Sequence, residues 1–264
     1  MGKQSEHGAE EGLKDFRVPP HELSEIKQVV AIMSGKGGVG KSSVTALLAT
    51  ALRRKGLQVG VLDADITGPS IPRLFGMKIR PEMTEFGMMP PQTGTGIRIM
   101  SLNLLLEAED DPVIWRGPLI GGAVKQFWTD VVWGELDYLL IDLPPGTGDS
   151  PLTVLQIFPL NGLVMVTSPQ ELANMVVKKA IGMASKMHIP MLGLVENMSY
   201  AFCPHCGEKW ELFGPSRGAK TAEEIGIPFL GAIPLDPKLT QLCDQGSVEQ
   251  YEGEIMDNLK NWLT

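Results

Sequence analysis

An α/β fold of the doubly wound kind, a mainly parallel sheet with helices on both faces, is predicted by three observations. Strand-like and helix-like segments alternate along most of the chain. The strand candidates are continuous apolar runs, as expected of strands buried on both faces, rather than alternating polar and apolar residues. The first of them runs straight into a glycine-rich stretch that opens the first helix, the place where such sheets bind ligands.

Residues 1–26 are charged, contain Pro19-Pro20 and lack periodicity, so they read as a mobile N-terminal arm. A single domain over 27–264 follows. It opens with the strand Gln28–Met33 and the helix Ser42–Lys55, stopped at Gly56. The strand Leu57–Leu62 leads into a long interruption, Ile66–Gly96, rich in Pro, Gly and Met. Then come the strand Ile97–Leu102, the helix Gly121–Trp133, the strand Tyr138–Ile141 and the helix Leu152–Phe158. The strand Gly162–Thr167, the helix Gln170–Met187 and the strand Met191–Glu196 continue the alternation. An insertion at 199–216 carries two cysteines, and loops of this length in a compact domain are usually functional. The helix Arg217–Ile225, the strand Pro228–Ala232 and the helices Pro237–Asp244 and Tyr251–Leu263 complete the chain.

Composition narrows the function. A chain of 264 residues with 43% hydrophobic content buries a substantial core. Its formal net charge of -8 argues against nucleic acid or an anionic membrane as partner. No apolar run approaches the roughly 20 residues of a spanning helix. The N-terminus lacks the apolar core of a secretory signal, and Glu6 breaks a myristoylation motif. Three cysteines make no disulfide framework, and the expected location is the cytoplasm.

The stretch Ser34-Gly35-Lys36-Gly37-Gly38-Val39-Gly40-Lys41-Ser42 satisfies the phosphate-loop pattern G-x-x-x-x-G-K-[ST] through Gly35, Gly40, Lys41 and Ser42. Its glycines let successive backbone N–H groups point at phosphate oxygens, and the helix behind it adds its positive end. ATP is expected on Gly35, Lys36, Gly37, Gly38, Val39, Gly40, Lys41, Ser42 and Ser43. Lys41 reaches the β- and γ-phosphates, and the Ser42 hydroxyl ligates Mg²⁺. Lys36 is surplus to that task, and a second cation there suits the phosphates of a facing subunit. Gly35-x-Gly37-x-x-Gly40 also fits a dinucleotide fingerprint, but that fingerprint does not call for Lys-Ser after its last glycine.

Tyr138-Leu139-Leu140-Ile141-Asp142 is an apolar strand ending in a carboxylate, placing Asp142 to hold Mg²⁺ beside Ser42. Gly146, in the loop that follows, offers an N–H to the γ-phosphate. Asp63 and Asp65 end another strand: Asp63 is read as holding metal-bound water, Asp65 as orienting the attacking water. Asn197 suits a base edge, with Pro234 and Asp236 as the far wall of the base pocket.

Cys203-Pro204-His205-Cys206-Gly207 spaces two thiolates to bind one metal centre, but two ligands make half a site. Cys243 stands alone in an apolar helix candidate. A two-fold dimer giving two cysteines from each subunit completes four ligands, which suit Zn²⁺ or a [4Fe–4S] cluster alike. A redox pair normally caps a helix in a thioredoxin-like unit, which is missing here.

With Lys36 and Lys41 in one loop, the chain resembles the deviant Walker A ATPases of the MinD/nitrogenase-iron-protein class. Four stretches together resemble the Mrp/ApbC iron–sulfur cluster carriers within that class: the phosphate loop, Leu62–Ser70, Asp142–Asp149, and Glu196–Tyr200 followed by Cys203 and Cys206. The resemblance runs from about Val29 to the last helix. It implies a P-loop ATPase, forming homodimers or heterodimers, that binds a labile [4Fe–4S] cluster between subunits and passes it to apoproteins. The chain departs from some relatives in having no cysteine in its N-terminal arm, and in carrying Leu242-Cys243-Asp244-Gln245-Gly246 where a glycine-rich segment is more usual. The resulting expectation is a homodimeric carrier using ATP, Mg²⁺ and a [4Fe–4S] cluster, with slow hydrolysis loosening the cluster. Lys36, Lys41 and Asp65 are its expected catalytic residues. A positioning ATPase of the MinD/ParA kind and a zinc-clipped regulatory dimer are the alternatives.

Overall fold

A computed structural model describes residues 18–66, 68–105, 117–170, 173–259 and 261–263. The expected arm lies outside the described residues up to residue 17. Its last stretch sits on the domain: the Trp128 indole N–H donates to the Val18 carbonyl at 2.7 Å, and the His21 N–H donates to the Trp128 carbonyl.

Among the described residues, seven strands make one parallel sheet. They are β1 (Glu25–Ser34), β2 (Val59–Asp63), β5 (Arg98–Ser101), β6 (Glu135–Asp142), β7 (Gly162–Thr167), β8 (Met191–Glu196) and β11 (Phe229–Ala232), in the order β11-β8-β7-β1-β6-β2-β5. β1 starts three residues before the expected strand, because its exposed first residues pair with the equally polar start of β6. After β1 the chain builds one wing of the sheet (β2, β5, β6) and then crosses to the other (β7, β8, β11). The carboxyl end of β1 is therefore a switch point, where a crevice opens.

Alternation along the strands divides the core into two layers. Val29, Ala31 and Met33 face one layer together with Leu139, Ile141, Leu163 and Met165. That layer is covered by α3 (Gly117–Thr129), α4 (Asp149–Ile157), α5 (Ala173–Lys186) and α6 (Gly218–Ile225). Val30 and Ile32 face the other, with Leu140, Val164 and Val166. There lie α1 (Lys41–Arg54), α2 (Ile71–Leu74), α7 (Pro237–Asp244) and α8 (Ile255–Leu259). The central helix α1 is buried on nearly every side, from Val44 to Leu52. That fixes its amino end firmly behind the phosphate loop.

The long interruption contains α2 and an antiparallel hairpin, β3 (Glu82–Thr84) with β4 (Gly87–Met89). The insertion at 199–216 contains a second small hairpin, β9 (Ala201–Phe202) with β10 (Lys209–Trp210), which frames the two cysteines. Helix α3 lies four residues earlier than expected, since the chain turns at Asp130 and Trp133 packs into the core from the following segment. Helix α5 begins at Ala173, and Glu171 and Leu172 of the expected helix lie outside the described residues. The final helix is shorter than expected, because Tyr251 is buried ahead of it with its hydroxyl on Asp236 at 2.8 Å.

Candidate functional site

Register brings the chemistry together. Asp63 at the end of β2 and Asp142 at the end of β6 are direct neighbours, and Ile32, just before the phosphate loop, pairs with Asp142 on the other side. Three sequence-distant carboxyl ends thus open on one crevice. A cavity of about 310 Å³ lies there, lined by residues from Gly37 to Ser43 together with Asp65, Gly68 and Pro145.

The loop between β1 and α1 turns through Gly38 (φ 80°) and Gly40 (φ 76°), conformations that a side chain would strain. A Cβ on Gly40 would also lie 2.2 Å from Asn197 Nδ2. Such a glycine cradle, open at the start of a buried helix, fits polyphosphate.

Behind the cradle lies a buried ionic network. Asp142 is fully buried, and its Oδ2 accepts from Lys41 Nζ and from the Ser42 hydroxyl, each at 2.6 Å. Its Oδ1 accepts from the Thr45 hydroxyl at 2.7 Å. Every oxygen of the carboxylate is therefore satisfied, which a buried charge requires. Thr45 was not singled out by the sequence. The signal was its position one turn after Lys41 on the same face of α1, where its hydroxyl also donates to the Lys41 carbonyl. Ser42 lines the cavity and donates to Asp142 behind it; this hard-oxygen pair fits Mg²⁺.

Asp63, the expected holder of metal-bound water, binds three backbone groups in this structure. Its Oδ1 accepts from the Asp65 N–H at 3.1 Å, and its Oδ2 accepts from the N–H groups of Ser70 and Ile71 at 2.9 and 3.0 Å. The carboxylate thereby staples the loop after β2 to the strand end through three backbone donors. Burial and the adjoining Asp142 push its pKa up to about 8, against the pull of the Ile71 N–H and Lys41. Asp65, held by this staple, lines the cavity as expected.

Lys36 points away from its own cradle, with its ammonium on the Gln170 side-chain carbonyl. The Gly146 N–H is donated to the Ser34 carbonyl at 2.9 Å, so in this conformation it serves the loop and not a phosphate. Asn197 is buried and donates its amide to the Val39 carbonyl at 2.9 Å. This amide N–H supports the phosphate loop from behind. Asp236 caps α7 by accepting from the Lys238 N–H, and its other oxygen accepts from the Tyr251 hydroxyl. Pro234 precedes it on the segment leaving β11.

The cysteines sit on the β9–β10 hairpin, where the Cys203 N–H donates to the Glu208 carbonyl and the Gly207 N–H to the Cys203 carbonyl. Gly207 is left-handed (φ 74°), which closes the turn. Cys206 is exposed and Cys203 half-buried. Backbone N–H groups of Cys206 and His205 point at the Cys203 sulfur and lower its pKa. Such a thiolate-ready knuckle suits a soft metal ion or cluster. Among the described residues, no group of three or more His, Cys, Asp and Glu side chains comes together to hold a metal ion. Exposed Phe202, Trp210, Leu212 and Phe213 surround the knuckle. Cys243 is buried on α7, where desolvation raises its pKa and its thiol meets the Ser43 hydroxyl.

Comparison with known proteins agrees with this geometry. The family model described as ParA, NUBPL iron-transfer P-loop NTPase, matches residues 25–262. Proteins called iron-sulfur cluster carrier protein are similar along most of their length. That of Methanocaldococcus jannaschii is 51% identical over 226 residues, 85% of this chain and 78% of that one. That of Clostridium perfringens is 48% identical over 237 residues, 87% and 83% respectively. A nucleotide-binding protein from Archaeoglobus fulgidus, solved in complex with ADP, is 49% identical with a TM-score of 0.79, covering 87% of this chain and 90% of that one. The cell division ATPase MinD of Pyrococcus furiosus shares the fold, with a TM-score of 0.60 at 22% identity over 90% and 98% of the two chains. No helix among the described residues is long and apolar enough to cross a membrane. With the phosphate loop, the strand-end carboxylates and the match over nearly the whole domain in agreement, the chain belongs to the NUBPL iron-transfer P-loop NTPase family.

Proposed function

We propose that this protein is a cytoplasmic, ATP-hydrolysing carrier that holds a [4Fe–4S] cluster between two copies of itself and delivers it to apoproteins. One observation carries the reading: a two-thiol knuckle, which no third His, Cys, Asp or Glu joins to form a metal-holding group among the described residues, stands on the domain of a nucleotide site. Two thiols cannot complete a four-ligand centre alone, whereas two copies can. The apolar side chains around the knuckle are suited to closing such a contact and keeping water from the cargo. Relatives named as cluster carriers support iron–sulfur cargo over zinc.

In the nucleotide site, Lys41 leaves Asp142 when phosphates arrive and neutralises their β and γ oxygens. Ser42 and Asp142 would hold Mg²⁺, which supplies charge neutralisation at the phosphates. Thr45 keeps Asp142 oriented throughout. Asp65, fixed by the Asp63 staple, orients the attacking water, and Lys36 stabilises developing charge on the phosphates of the facing subunit. Hydrolysis removes the γ-phosphate contacts that hold the loops at 66–76 and 143–149, alters the subunit contact and loosens the cluster.

The test is iron, acid-labile sulfide and zinc content after anaerobic purification or reconstitution. Wild-type protein is expected to be brown, and Cys203→Ser or Cys206→Ser to lose iron and sulfide while still binding nucleotide. Cys243→Ser retains both. Colourless protein with stoichiometric zinc, or equal loss on changing Cys243, contradicts the carrier.

A further inference from the structure

Two adjacent residues at the end of β8 face in different directions, and each grips one of the two sites. Asn197 donates to the Val39 carbonyl of the phosphate loop at 2.9 Å, and its amide lies where a Cβ on Gly40 would be. Glu196, buried like Asn197, faces the cysteine insertion. Its Oε1 accepts from the N–H groups of Arg217 and Gly218 at 2.9 and 2.7 Å. Its Oε2 accepts from the hydroxyls of Ser199 and Ser216, both at 2.5 Å. One carboxylate therefore clamps both feet of the 199–216 insertion.

The connection between the two grips is stiff. The Asn197 N–H is held on the Thr167 carbonyl, and the Glu196 carbonyl accepts from the Ile233 N–H. Met198, next in the chain, is held at φ 55°, a conformation unusual for a side chain with a Cβ, and its methyl end lies 3.4 Å from a Cβ placed on Gly40. Beyond Ser199, the hairpin pairs Ala201 with Trp210 and Phe202 with Lys209, and the Leu235 N–H binds the Tyr200 carbonyl. Moving the feet of the insertion thus carries the knuckle with them.

We infer that Glu196 and Asn197 are positioning residues that couple the phosphate loop to the cysteine knuckle within one subunit. Phosphates entering the cradle reset the Val39–Gly40 backbone, Asn197 follows it, and the Glu196 clamp transmits the change to Cys203 and Cys206. By linkage, whatever binds the cysteines alters nucleotide affinity by the same factor. The inference gives a route to the carrier reading, but it concerns the bare thiols and stands or falls separately.

The experiment uses the full chain, stripped of metal and kept reduced. Iodoacetamide labelling of Cys203 and Cys206 is timed by peptide mass spectrometry with and without Mg-ADP. In wild type, nucleotide is expected to change these rates by about fivefold or more, the lower bound of ordinary allosteric coupling. In Ser199→Ala/Ser216→Ala, and in Glu196→Ala, the factor falls towards one while nucleotide affinity is kept. Glu196→Gln keeps the factor, because an amide still accepts from Arg217 and Gly218 and donates to the two hydroxyls. If Glu196→Ala does not fold, the serine double variant decides. A wild type indifferent to Mg-ADP overturns the inference, as does a wild-type factor in the serine double variant. Either result leaves the cluster question untouched, since no cluster is present.

Discussion

Lys41→Met separates the structural and the nucleotide roles of one lysine. Lys41 is 6% exposed and its ammonium lies 2.6 Å from a fully buried carboxylate. Breaking a buried ion pair by removing one partner costs about 3–5 kcal/mol, because the remaining charge stays buried. Here Ser42 and Thr45 still donate to Asp142, at 2.6 and 2.7 Å. Two of its three side-chain hydrogen bonds therefore survive, and the lower end, about 3 kcal/mol, is expected. For a domain of this size that lowers Tm by about 6–12 °C. The double variant Lys41→Met/Asp142→Asn removes the stranded charge and keeps an acceptor for the hydroxyls, so it recovers about 2 kcal/mol of the loss. Urea unfolding of the nucleotide-free protein measures both quantities, and ATP affinity is lost in both variants. A Lys41→Met variant as stable as wild type, with no gain from the second change, refutes the buried pair.

Other outcomes follow from individual contacts. Lys36→Ala keeps nucleotide affinity but loses hydrolysis by roughly 10²-fold or more, the usual cost of removing a group that stabilises developing charge; equal loss of binding and turnover would place Lys36 in its own site. Thr45→Val, nearly isosteric, leaves Asp142 Oδ1 without its side-chain donor and costs about 1–3 kcal/mol, with slower turnover; unchanged unfolding and turnover would remove Thr45 from the network. The pH profile of alkylation orders the thiols. A lowered pKa gives Cys203 a larger thiolate fraction below the ordinary thiol range, and a raised one gives Cys243 a smaller fraction. Cys203 is therefore labelled at lower pH than Cys243 in the folded, metal-free chain, and the reverse order would contradict the knuckle geometry.

The sequence was most legible where chemistry and contiguity coincide. The phosphate loop is one unbroken stretch, and β7, β8 and α7 were bounded correctly because apolar runs end at Asn161, Asn197 and Asp236-Pro237. The interior of the long interruption was not legible, since α2 and the β3–β4 hairpin are too short to show a period. β6 extends three residues before the expected Tyr138 because polar Glu135 and Asp137 lie at the sheet's open end. Asp142 was found from its strand-end position, but its partner Thr45 depends on which face of α1 meets β6. The backbone contacts of Asp63 and Asn197 were not legible either, since both residue types suit a ligand and only the fold shows which nearby backbone groups they also bind.

Native mass spectrometry of the anaerobically reconstituted chain tests the central proposal most directly, because it counts subunits and cargo in one species. The expected ion contains two chains and one cluster of about four irons and four sulfides, and is absent for Cys203→Ser or Cys206→Ser. A single chain carrying a whole cluster, or a pair of chains joined by zinc, would contradict a cluster shared between the two knuckles.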